Sequence, residues 1–153
     1  MSTRQDRIIL APPLIYLIAI ALAWLLAELL PLPLPANAWT RYVGWGAIDA
    51  GILLAAWSAL AMAQHKTTIN PYKKPKRLLE SGPFGYSRNP IYLGFNLIYC
   101  GIGLLLDSGW PWIVLPVLLV VMTRGVILPE EQILDRLFGE SYRRYRARVR
   151  RWL

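Results

Sequence analysis

Apolar residues fall into four blocks, 8–30, 42–63, 90–106 and 111–128, separated by polar or Pro/Gly-rich stretches. At ~1.5 Å per residue, blocks of this kind reach across the ~30 Å hydrocarbon core of a bilayer. The pattern predicts an all-α, polytopic membrane protein with four transmembrane helices, forming a single domain over residues 1–153. The first block is too long for a signal peptide and lacks a small-residue cleavage site. Pro12-Pro13 marks either an early kink in it or its true start, and Pro31-Leu32-Pro33-Leu34-Pro35 ends it in a stiff extended connection. Gly44, Gly46 and Gly51 permit close helix approach in the second block. Trp110-Pro111-Trp112 opens the fourth, where tryptophans suit the membrane interface.

Beyond the last block the period changes. Leu134, Phe138, Tyr142, Tyr145, Val149 and Trp152 recur at steps of three and four, which puts them on one helical stripe. Arg143, Arg144, Arg146, Arg148, Arg150 and Arg151 occupy most of the remainder. The tail 129–153 therefore reads as a C-terminal amphipathic interfacial helix on an anionic leaflet, with Gly139 as a potential break.

Composition agrees with a membrane protein: 56% of the residues are hydrophobic, with seven Trp and eight Tyr. The net charge of +8 gathers at the ends of apolar blocks, so lipid headgroups, not nucleic acid, are the expected counter-charge. With four spans, the termini and the 64–89 loop share a side that holds every Lys and Arg except Arg41. The positive-inside rule places that side in the cytoplasm, in a bacterial or archaeal inner membrane. Cys100 is the sole cysteine, which excludes an internal disulfide and a cysteine-cluster metal site. His65 is the sole histidine, so a histidine-rich metal site is excluded too, and its simplest role is a solvated helix cap or headgroup contact.

The chemistry concentrates in Leu78–Gly94, the one long polar segment punctuated by Gly and Pro. Gly82-Pro83 and Gly85 impose turns. Asn89 is biased away from helical geometry by Pro90, which itself suits the first position of a helix. A shaped loop thus ends where a helix begins, and the free N–H groups of that helix face back toward the loop, able to hold an anion. Neither a phosphate-binding loop nor a Rossmann fingerprint is present.

Three acidic or basic features lie near apolar blocks. Asp49 is either a functional group inside the second span or a solvated residue near its outer end. Glu130-Glu131 follows the fourth span; adjacent helical carboxylates point about 100° apart, so one can face a pocket and the other water or a basic partner. Arg124 lies inside the apolar block and is expected to turn inward toward an anion. Together with Phe84, Tyr86, Arg88 and Tyr92 these residues describe a pocket at membrane depth that suits a zwitterionic cofactor.

Gly82-x-x-x-x-x-Arg88-Asn89-Pro90-x-Tyr92-x-Gly94, then Glu130-Glu131-x-x-Leu134, then Phe138-Gly139-x-x-Tyr142-x-x-Tyr145-x-x-x-Val149, resembles the isoprenylcysteine carboxyl methyltransferase and phospholipid methyltransferase superfamily. The resemblance runs from about Lys76 to Val149. It implies S-adenosylmethionine as cofactor and a lipophilic or lipidated acceptor drawn from the membrane. Lys76, Arg77, Leu78, Leu79, Phe84, Tyr86, Asn89, Pro90, Ile91, Tyr92 and Glu130 would bind the cofactor, and Arg88 and Arg124 would serve catalysis. No metal is implied. Animal and yeast prenylcysteine enzymes read Arg-His-Pro where this chain has Arg88-Asn89-Pro90. Their substrate-associated arginine, four positions before the glutamate, matches Val126 here. The implied activity is methyl transfer of the prenylcysteine-enzyme type; the alternatives are phospholipid amine N-methylation and a non-catalytic scaffold that keeps the fold.

Overall fold

The computed structural model describes residues 10–35, 37–65 and 77–153. Lys76, together with Lys66, Lys73 and Lys74, lies outside the described residues. The chain forms α1 (Pro12–Leu29), α2 (Ala38–Gln64), α3 (Pro90–Leu105), α4 (Trp110–Met122), α5 (Leu128–Phe138) and α6 (Glu140–Arg148). A 3-10 turn occupies Gly82–Gly85 and a π turn Thr123–Ile127. No strand forms among the described residues; Pro33 and Ser108 make one isolated antiparallel bridge.

Local chemistry sets the boundaries. Pro12 is the true start of α1, and Pro90 and Pro111 likewise stand in the first turns of α3 and α4, where a missing N–H costs nothing. Asn37 and Thr40 exchange side-chain and backbone hydrogen bonds as a capping box for α2. Gly139, at φ 51°, ends α5 and turns the chain into α6, the break expected at that residue.

Among the described residues three helices are long and apolar enough to cross a membrane: Pro12–Leu29, Ala38–Gln64 and the continuous helix Trp110–Phe138. Of the four expected spans three reach spanning length, and the boundaries differ in two places. α3 has 16 residues, ~24 Å of helix against a hydrocarbon core of ~30 Å, and falls short by length. The fourth block does not stop at residue 128, because α4, the π turn and α5 run on as one helix of 29 residues. Pro129 has no N–H to offer the carbonyl four residues earlier, and the wider π turn absorbs that lost bond without ending the helix.

α3 stands at the centre. On one side it meets α2 in antiparallel fashion through facing glycines. A Cβ at Gly94 would sit 2.7 Å from the Gly51 carbonyl oxygen, and one at Gly101 would sit 2.5 Å from that of Gly44. On its other side Tyr99 joins Ile15, Tyr16, Ala19 and Ala23 of α1 and Val114, Leu118, Met122 and Val126 of the long helix in the buried core. Large apolar side chains such as Leu17, Leu53, Leu60 and Val117 face outward, as a lipid environment requires.

The end of the bundle away from the 64–89 loop is closed by backbone bonds. Leu34 N donates to Asp107 O (2.9 Å), and Gly109 N donates to Leu32 O (2.8 Å). Trp110 Nε1 donates to Leu30 O (2.6 Å).

Candidate functional site

At the opposite end, the loop before α3 is held by the C-terminal tail. Ser87 is buried; its Oγ accepts from Asn89 N (3.2 Å) and donates to the Arg151 carbonyl (3.2 Å). Asn89 Nδ2 donates to the same carbonyl (3.1 Å), and Arg88 N donates to Arg150 O (3.0 Å). Tyr145 OH donates to Phe84 O (2.7 Å), and Arg148 pairs with Glu80. Burial keeps the phenols of Tyr142 and Tyr145 above their ordinary range, so both act as neutral hydrogen-bonding groups.

The predicted apolar stripe of the tail therefore has another partner than expected. Tyr142 and Tyr145 are buried, with their hydroxyls engaged by the loop, and Gly139 separates them from Leu134 and Phe138. A single interfacial helix over 129–153 does not form.

Glu131 lies at the middle of this clamp and is 7% exposed. Arg151 grips it with two bonds, Nε to Oε1 and Nη2 to Oε2, both 2.9 Å. Arg88 Nη1 reaches the same Oε1 at 3.1 Å and donates to Tyr142 OH at 3.2 Å. Two guanidinium groups on one carboxylate keep its charge balanced where water is scarce. Arg88 Nε is buried and has no partner among the described residues. Of the two alternatives open to the second carboxylate, water or a basic partner, Glu131 takes the basic partners, and it does so inside the fold.

Glu130 points elsewhere. Its Oε1 accepts from Tyr92 OH at 2.7 Å, tying the first turn of α3 to α5. Asn89, the residue before α3, commits its side chain to Arg151 and makes no cap, so the first N–H groups of α3 receive no side-chain acceptor from it. A carboxylate and an uncapped helix start are thus brought to one place, beside Pro90, Ile91 and Tyr92. Leu79 is buried behind the loop, Leu78 and Phe84 are half-buried, and Arg77 is exposed.

Three candidates fall outside this grouping. Tyr86 is 74% exposed. Arg124 is exposed on the π turn and does not turn inward as expected, because Gly125, Val126 and Ile127 take the buried face of that turn. Asp49 is exposed on α2 and belongs to neither cluster. His65 behaves as a cap, its Nδ1 donating to Ala61 O (2.8 Å) at the end of α2.

Sequence reasoning missed two polar residues deeper in the bundle. Tyr16 OH donates to Asn96 Oδ1 (2.7 Å) and lies 3.3 Å from the Tyr92 carbonyl oxygen. Asn96 was readable in principle, as an amide inside an apolar block, one turn beyond Tyr92 on the same face. Tyr16 and Arg151 carried no such signal.

Comparison with known proteins places the chain in context. The family model described as phospholipid methyltransferase matches residues 39–141, so the likeness reaches back through α2, beyond the motif-bearing half. An uncharacterized protein of Haemophilus influenzae is 36% identical over 63 residues, which are 41% of this chain and the whole of that protein. No solved structure matches.

Proposed function

The chain belongs to the phospholipid methyltransferase family, and from that premise we propose that it transfers a methyl group from S-adenosylmethionine to a lipid acceptor in the membrane. Three apolar helices of spanning length and this family make it an integral membrane protein of methyltransferase type. The observation that carries the cofactor is the meeting of Glu130, Tyr92 and the uncapped start of α3.

The residues fit the group. When bound, S-adenosylmethionine supplies an electrophilic methyl on a sulfonium. The α3 N-terminus suits its carboxylate, and Glu130 suits ribose hydroxyls as a charged acceptor. Leu78, Leu79, Phe84, Asn89, Pro90 and Ile91 complete the lining by resemblance. Arg88 positions the loop through Glu131 and Tyr142. The chain's share of the work is alignment of donor and acceptor and exclusion of water. Arg124, facing out from the π turn, meets surrounding lipid headgroups.

Among acceptors, the family description favours a phospholipid amine over a prenylcysteine carboxylate. The orientation follows the basic residues, with both termini and the 64–89 loop in the cytoplasm and α3 completing a fourth, short crossing. A cysteine placed at Lys74 in a Cys100→Ala background should label only from the cytoplasmic side; labelling from the opposite side would reverse the topology.

The cofactor assignment is tested by calorimetry with purified protein. Wild-type protein should bind S-adenosylmethionine. Glu130→Gln should weaken binding roughly 10- to 100-fold, the effect of losing ~1.5–3 kcal/mol of hydrogen bonding to a charged group. An unchanged affinity would remove Glu130 from the cofactor site.

A further inference from the structure

Asn96 is an amide set among apolar residues in the middle of α3, where a polar group is expected to be fully paired. It is only half paired. Its Oδ1 accepts from Tyr16 OH at 2.7 Å, while its Nδ2 donates to nothing among the described residues. The residue is half-buried, and among the described residues the side-chain atoms both sealed and unpaired are Arg88 Nε and Asp107 Oδ1, so the unpaired Asn96 Nδ2–H group keeps a surface that another molecule can touch. A purely structural bond between α1 and α3 leaves this donor unexplained.

Its position gives the donor a purpose. Asn96 follows Tyr92 by one helical turn on the same face, ~6 Å further from the loop end. Tyr92 carries the hydroxyl that meets Glu130, so Asn96 lies directly beneath the pair proposed to mark the cofactor. Tyr16 fixes the amide from the α1 side, and its ring stands edge-on to Phe95 at 5.4 Å, which limits how the phenol can move. Tyr16 itself belongs to the buried core with Ile15, Met122 and Val126, all apolar. A membrane lipid whose headgroup end reaches the Tyr92–Glu130 level carries its phosphate and ester oxygens a few bonds deeper, at about the level of Asn96.

We infer that Asn96, braced by Tyr16, forms an acceptor subsite in which the amide Nδ2–H group donates to a phosphate or ester oxygen of the lipid being methylated. This assignment rests on the methyltransferase reading above. Asn96 touches the acceptor; Tyr16 is a positioning residue that acts through it.

The test uses full-length protein in mixed micelles of phosphatidylethanolamine with labelled S-adenosylmethionine. Asn96→Leu should leave the calorimetric cofactor Kd within about twofold of the parent and raise the KM for phosphatidylethanolamine about three- to tenfold if the acceptor is a neutral ester oxygen, and more than about tenfold if it is the anionic phosphate. Tyr16→Phe should shift the same KM in the same direction by less, and it decides the matter if the leucine variant does not fold. An unchanged lipid KM in the variants, or a loss confined to cofactor affinity or melting temperature, would overturn the subsite. Transfer by the wild-type protein to phosphatidylethanolamine with both variants unaffected would overturn the subsite alone. Failure of the wild-type protein to bind S-adenosylmethionine would overturn the parent reading with it.

Discussion

Glu131→Ala should cost more stability than any other single change at the loop end of the bundle, about 3–5 kcal/mol. The carboxylate is 7% exposed, accepts two hydrogen bonds from Arg151 and makes an ion pair with Arg88. Its removal leaves Arg88, whose side chain is 9% exposed, with the Tyr142 hydroxyl as a neutral partner and a Nε already unpaired. Arg151 loses less, because its side chain is 34% exposed and water can replace part of the contact. The expected readout is a melting temperature lower by roughly 10 °C in detergent, together with weakened cofactor binding as the loop loses its anchor. Glu131→Gln keeps an acceptor and should fall between. Glu130→Gln should show the opposite profile, with lost affinity and little lost stability. If the two glutamates give matching profiles, the division of labour drawn from the geometry is wrong.

The second large effect belongs to the α2–α3 seam. Gly94→Leu should prevent the pair from closing. The first added atom would lie 2.7 Å from the Gly51 carbonyl oxygen and 3.1 Å from Ala55 N, and backbone atoms in a helix cannot step aside. The helices would have to separate, and of the residues on α2 only Gly44, Gly51 and Ser58 are buried. Overpacking of this kind costs ~1–3 kcal/mol where side chains can adjust, and more here. Folded, monodisperse protein should be nearly absent. Gly46→Ala is the control: no atom lies within 4 Å of the new Cβ, so the change should be neutral or gain up to ~1 kcal/mol from helix propensity. Full recovery of Gly94→Leu would mean that the two helices need not touch.

These two sites show what the chain does and does not reveal before folding. Helix starts at Pro12 and Pro90, the break at Gly139 and the small residues of α2 were readable because each acts through its own backbone or its immediate neighbours. Glu130 near Tyr92 was readable through spaced motifs. The π turn was not, since Pro129 inside an apolar-to-polar transition looks like the end of a helix. Nor was the inward turn of Glu131, because its partners Arg88 and Arg151 are two among many arginines and nothing local selects them. The outward side chain of Arg124 was not readable for a related reason: the wider turn changes which side chains meet the core. The bond between Tyr16 and Asn96 joins positions 80 apart, a pairing that only the bundle creates.

The clamp over the loop also imposes an order of events during synthesis. Ser87 and Asn89 bond to the Arg151 carbonyl across separations of 64 and 62 residues. At ~5–20 residues per second the ribosome leaves the loop waiting roughly 3–12 s for that partner. Meanwhile α3 and the long helix, which carries Glu131, are already available to enter the bilayer and pack, while Glu131 still lacks Arg151 and the loop its backbone acceptors. The apolar bundle is therefore the first part of this protein to mature, and the pocket at its mouth is the last.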